Sequence, residues 1–126
     1  MIVSFLSFCC FTFGQTPLDC KKLKEGKFQL TDESSGITII TRKDGIQREE
    51  NAKMGVIVED KIQWINDCTY RLIPYKIIKN ESGIDLSIDL QLEIEIIDIQ
   101  SDHYVQRTLL RLNNQSFFKE IFIVKD

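Results

Sequence analysis

Histidine occurs once in this chain of 126 residues, as His103. One imidazole leaves little with which to build acid–base or nucleophilic catalysis. Ser101-Asp102-His103 adjoin, yet a triad needs a positioned nucleophile and an oxyanion hole, which sequence neighbours on a turn do not supply. No C-x-x-C redox pair, nucleotide-binding loop or glycine-rich elbow is present. Basic residues never cluster beyond Lys21-Lys22-x-Lys24, and the net charge is -3, so nucleic acid has no electrostatic footprint here. That triplet reads as the solvated end of a short helix. No apolar run reaches the about 20 residues of a transmembrane helix. Internal repeats and low-complexity segments are absent too. No catalytic residue, metal, cofactor or nucleic-acid partner is therefore expected.

What is present begins with Met1 to Phe13, an apolar and small-residue run without a charge. Gly14 and Gln15 follow it, and then the first proline and charges. This is the layout of a signal peptide over residues 1–15, cut after Gly14 or Gln15. A buried first strand is the alternative. Lipidation at Cys9 or Cys10 is disfavoured, because Phe8 stands where a small residue is needed. Residues 16–126 then form a single domain of about 111 residues. The composition, 43% hydrophobic and 28% charged, is that of a globular chain and not a disordered one. Export removes Cys9 and Cys10 and leaves Cys20 and Cys68 in an oxidising compartment, periplasmic or extracellular. They are expected to form a disulfide, which would constrain the unfolded chain by about 4 kcal/mol.

Asp19 is placed to cap a turn or two of helix through Leu23, with Gly26 as its left-handed terminator. From Lys27 the apolar period becomes two, that of a half-buried strand. Phe28 and Leu30 begin it. Ile37 to Arg42 and Ile46 to Glu50 flank Asp44-Gly45, a turn whose central residues need positive φ. After a turn over 51–55, Val56, Val58, Ile62 and Trp64 share one strand face. Cys68, Tyr70 and Leu72 share a face on the next. A three-residue loop, Ile65 to Asp67, would set Trp64 opposite Cys68, with Asn66 or Asp67 left-handed. Pro74 has no ladder donor, so its strand ends there or runs along an edge. Ile84 to Ile96 alternates without error and reads as one long strand or as two segments, and Ile96-Ile97 breaks the phase as a bulge does. Tyr104 to Leu112 and Phe117 to Val124 follow. About eight strands in hairpin succession predict an all-β fold, an antiparallel up-and-down barrel of lipocalin-like type, with a β-sandwich as the alternative.

The pattern Cys20…Gly26-x-Phe28, Ile40-x-Arg42 with Gln47-x-Glu49, and Trp64-x-x-x-Cys68-x-Tyr70-x-Leu72 resembles a family of small secreted proteins of flavobacteria and other Bacteroidota. The likeness spans most of residues 16–126, and its specific part ends near Leu72. Some members carry the name DNA topoisomerase IV. This chain is far too short for such an enzyme and lacks its nucleotide-binding loop. The resemblance implies the cysteine pair and a lipocalin-like all-β domain, and it brings no activity with it. Between Pro74 and Leu90 an acidic alternating stretch stands where the family has a polar connection, so a loop is the other reading of Ile84 to Asp89.

Arg42, Gln47, Glu49, Trp64 and Tyr70 form the candidate ligand-binding set. In hairpin register Arg42 faces Gln47, and an inward Arg42 would meet a ligand carboxylate or pair with Glu49. Trp64 would line the same cavity. The competing reading is structural: an Arg42–Glu49 pair, with Trp64 plugging the floor beside the disulfide. Asp85, Asp89, Glu93 and Glu95 would share a strand face, better read as solvated than as a calcium site because no glycine turn accompanies them. Phe117, Phe118, Ile121, Phe122 and Ile123 put apolar residues on both faces of the last strand, for burial on both sides or for a partner. The expectation is a non-enzymatic module that binds a small apolar or amphipathic ligand. The alternative is an envelope protein that acts through its surface.

Overall fold

Short turns between alternating strands leave each strand beside its sequence neighbour, and the fold follows from that. The computed structural model describes residues 18–86 and 91–125. A 3₁₀ turn, Cys20–Leu23, precedes β1 (Gly26–Asp32), β2 (Gly36–Lys43), β3 (Ile46–Asn51), β4 (Val56–Asn66), β5 (Thr69–Asn80), β6 (Leu92–Ile99), β7 (His103–Leu110) and β8 (Gln115–Ile123). All eight run antiparallel in chain order, and β8 returns to β1 through Phe28–Ile123 and Gln29–Phe122 to close a barrel. The expected signal peptide, with Cys9, Cys10 and Gln15, lies outside the described residues. Among the described residues no helix is long and apolar enough to cross a membrane.

The period-two pattern sorts the side chains. Phe28, Ile40, Tyr70, Leu72, Ile94, Ile96, Tyr104 and Ile121 are buried inside. Their neighbours in sequence face water, where outward Arg71 meets Glu93 and Arg107 meets Glu95. Asp44 and Gly45 take φ of 53° and 77°, so Lys43 pairs with Ile46 and Arg42 with Gln47 as the turn requires. The phase break at Ile96-Ile97 is a bulge, with Ile96 opposite Gln106 and Asp98 opposite Val105.

Up-and-down topology collects the 3₁₀ turn and the tips at 44–45, 67–68 and 100–102 at one end, and the longer connections at the other. The first end is closed. Cys20 and Leu23 are buried beneath it, and the Cys20–Cys68 disulfide ties the 3₁₀ turn to the β4–β5 hairpin. Arg42, Tyr70, Tyr104 and Phe28 fill the barrel above that plug. The Phe28 and Tyr104 rings meet edge to face at 5.7 Å.

Several local expectations are corrected. Trp64 lies opposite Tyr70 and not Cys68, because Ile65 is bulged out and Asn66 pairs with Thr69. Asp67 and Cys68 form the turn, and neither Asn66 nor Asp67 is left-handed. The bulge keeps the Trp64 and Tyr70 faces in phase with one residue fewer in the loop. Asp19 makes no side-chain cap, and Gly26, at φ 134°, opens β1 instead of ending a helix in the left-handed region. Ile84 to Ile96 is not one strand: β6 starts at Leu92, residues 83–86 form none, and 87–90, including Asp89, lie outside the described residues. The last strand is not buried on both faces, since the outer wall of a barrel faces water. Phe118 is 62% exposed, Phe122 is exposed on the same outer face, and Phe117 sits half in water at the open rim.

Pro74 does not end β5. The strand continues to Asn80 against β4, while its ladder with β6 stops at the Leu72–Leu92 pair. Pro74 pairs with Asp60 on one side and leaves its donorless nitrogen on the side β6 has abandoned. Beyond Leu72, β5 and β6 are not paired among the described residues.

Candidate functional site

Hairpin register brings the first candidates together. Arg42 and Gln47 are cross-strand partners on the inner face, and Arg42 is 2% exposed. Its Nε donates to Gln47 Oε1 at 2.9 Å, and one terminal nitrogen donates to the Leu23 carbonyl at 3.0 Å. The other donates to the Tyr70 hydroxyl at 2.9 Å and to the Tyr104 hydroxyl. The guanidinium carbon also stands 4.5 Å from the Phe28 ring centre, a cation–π distance. Burial pushes the Tyr70 phenol up, so it stays protonated. Trp64 packs its ring 4.6 Å from Tyr70 and lies under the Lys24 ammonium at 4.9 Å. It belongs to the closed end, half-buried beside the turn that holds Cys68.

A polar relay leads from this plug to the hollow half. Gln47 Nε2 donates to Glu49 Oε2 at 2.8 Å, so Gln47 stands between Arg42 and Glu49, and the direct Arg42–Glu49 pair does not form. Glu49 in turn stands beside Asp60 of β4. Gln47 lies opposite Asp60 and Glu49 opposite Val58, which makes the two carboxyls diagonal neighbours on the inner wall. Burial, with the Glu49 charge behind it, pushes the Asp60 carboxyl up to about 7. Asp60 therefore keeps its proton to a higher pH than an exposed carboxyl does.

Above the pair the barrel is hollow. One cavity of about 200 Å³ has apolar wall from Val58, Leu72, Pro74 and Leu92, the carboxyls of Glu49 and Asp60, and further charged lining from Glu59, Lys76 and Asp85. A second, of about 180 Å³, reaches the open rim between Thr38, Asn51, Val56 and Ile84. Both are bounded by Glu49, Val58 and Leu86, so they adjoin. Each alone is smaller than the roughly 300 Å³ at which ligand pockets begin, and the two together reach it. A larger hollow of about 720 Å³ lies outside, an open groove against outward Ile37, Ile39 and Ile57.

No known protein family, curated protein or solved structure matches this chain. The chemistry of the cavity is its own guide. Of the candidate residues, Arg42, Gln47 and Tyr70 form one buried network, Glu49 alone reaches the hollow, and Trp64 stays apart. Arg42 gives four of its five N–H donors to the protein and is buried, so a ligand carboxylate finds no accessible guanidinium.

Asp60 is missing from the candidate set, although the period that puts Val58 and Ile62 inside puts Asp60 inside as well. An acidic residue at an inward strand position is the signal that marks it. Asp85 is not on a strand face but on the segment after β5, where it borders the same cavity. Glu93 and Glu95 face outward against arginines. His103 opens β7 between Asp102 and Glu120 and rests 5.3 Å from the Phe122 ring. Among the described residues no three His, Cys, Asp or Glu side chains are grouped to hold a metal ion.

Proposed function

We propose that this domain is an exported, non-enzymatic binding module that takes a small apolar or amphipathic ligand into the open half of its barrel, in lipocalin-like manner. One observation carries the reading: the interior is divided. Its closed half is filled by aromatics around Arg42, and its open half holds adjoining cavities whose walls are mainly apolar, with Glu49 bordering both and Asp60 one of them. A barrel built only to be a packed scaffold fills both halves. The Cys20–Cys68 disulfide supports export, since such bonds persist in oxidising compartments. A second reading, an envelope protein acting through its surface, draws support from Phe118, Phe122 and Leu112 exposed on the outside.

Native mass spectrometry of the protein from its own host's exported fraction tests both. The expected species starts at Gln15 or Thr16, lacks two hydrogens relative to the reduced mass, and carries a small molecule lost on gentle activation. A bare mass favours the surface reading. A mass that retains Met1 overturns export.

A further inference from the structure

We infer that the cavity beside the end of the β5–β6 ladder is an amine site: an alkylammonium group held between Glu49 and Asp60, with its hydrocarbon chain against Val58, Leu72, Pro74 and Leu92. The inference rests on the ligand-binding reading above and names the ligand's chemistry.

Three features of the cavity point to a cation. First, Glu49 and Asp60 both line it, and among the described residues no lysine or arginine nitrogen lies within ion-pair distance of either. The nearest buried cation, Arg42, donates to Gln47, Leu23, Tyr70 and Tyr104 and reaches Glu49 only through Gln47. Second, Val58, Leu72, Pro74 and Leu92 offer apolar wall for a hydrocarbon chain, while Glu59 and Asp85 add two further carboxylates to the lining against one lysine, Lys76, so the lining as a whole is negative. Third, Leu72–Leu92 is the last pair of the β5–β6 ladder and both residues border the cavity, so among the described residues no strand pairing closes that side. The same charges work against an anionic ligand. A fatty acid would set its carboxylate among Glu49, Glu59, Asp60 and Asp85, with Lys76 alone of opposite charge in the lining.

The charged groups around the pair are few. Arg42 approaches from β2 and Glu49 from β3. Glu59 and Lys76 stand at the rim from β4 and β5, and Asp85 stands there from the following segment. While the site is empty, burial and the neighbouring Glu49 carboxyl favour the protonated form of Asp60. An arriving alkylammonium replaces that proton. The free site is one carboxylate plus one carboxylic acid, the bound site is two carboxylates plus one ammonium, and one proton leaves to water. Binding therefore strengthens with pH.

Isothermal titration of the disulfide-bonded protein with n-octylamine, n-octanol and octanoate tests this. The expected order is octylamine first, octanol weaker and octanoate without measurable binding. With Asp60 titrating at about 7, octylamine affinity rises roughly tenfold from about pH 6 to about pH 8. Buffers of different ionisation heat report the released proton. D60N, checked for a folded spectrum, loses both the proton release and the pH dependence. If octanol or octanoate binds as tightly as octylamine, the amine site is wrong and an apolar ligand site remains. If none of the three binds, the ligand-binding reading falls with it.

Discussion

Arg42→Met tests whether the closed half is held by its polar centre. Methionine keeps much of the arginine's length and apolar stem beside Phe28, so the change removes mainly the guanidinium. Left behind are Gln47 Oε1, the Leu23 carbonyl and the Tyr70 and Tyr104 hydroxyls, each of which accepts from Arg42. A buried polar group stripped of its partner costs about 1–3 kcal/mol. The two hydroxyls can turn toward one another, which leaves Gln47 and the Leu23 carbonyl as the main losses. Glu49 also loses the positive charge that faces it through Gln47. Removing one member of a buried charged network costs about 3–5 kcal/mol, and the two routes agree. Such a loss is a large part of a stability of about 5–15 kcal/mol, so urea unfolding is best followed with the disulfide intact. The midpoint should fall with the slope unchanged. Adding Gln47→Leu should recover part of the loss, because one orphaned acceptor leaves with its donor. Arg42→Lys should fall between wild type and Arg42→Met, since one ammonium cannot serve four separated acceptors. A loss below about 1 kcal/mol for Arg42→Met would show that hydrophobic packing alone holds this end, and the argument would fail.

Cys20→Ser with Cys68→Ser should lower stability by about 4 kcal/mol, the chain-entropy value for a sequence separation of 48, as read from denaturant unfolding. Asp60→Asn gives a pH-dependent difference. Asp60 is raised from 3.8 to about 7 on folding, so the stability its proton gives is full below about 4 and is lost as pH rises through 7. The variant should match wild type near pH 4 and exceed it near pH 8; a constant gap in urea midpoints would contradict this. Gly45→Ala should cost about 1–2 kcal/mol for the left-handed backbone alone, since nothing lies near its Cβ. Gly55→Ala should cost more, because a Cβ there would also stand 2.7 Å from Glu81 Cβ; equal melting losses would argue against this.

The barrel was legible because most of its strands are half-buried, and period two is then written into the residues. Asp44-Gly45 fixed one hairpin register unaided, and with it the Arg42–Gln47 pair. The β4–β5 tip was harder to read. A bulge at Ile65 preserves the facing of Trp64 and Tyr70 as well as a longer loop does, so alternation cannot distinguish the two. Ile84 to Ile96 misled for a related reason. Alternation states which face a residue could bury and not whether a partner strand is there, and β5 parts from β6 at Leu72. The disulfide followed from compartment and counting. The Arg42 network did not, because its partners Leu23 and Tyr104 are brought in by closure of the barrel, far along the chain.

The Asp60–Glu49 pair breaks the rule that the rest of the interior follows. Arg42 is charged too, but every nitrogen it carries has a partner, so it behaves as a satisfied core residue. Asp60 has only another carboxyl beside it and is forced toward its protonated form. A valine or leucine at either position would suit the aliphatic wall and remove that repulsion, and buried ionic groups are often replaced by apolar ones with a gain in stability. Local violations of packing logic tend to collect at functional sites. This one lies where the filled half gives way to the hollow half, beside the end of the β5–β6 ladder. Three departures from an ideal barrel (a carboxyl pair, an unfilled volume and an unzipped ladder) thus converge on one place. Packing economy accounts for none of them, whereas the capture of a small polar-headed ligand accounts for all three.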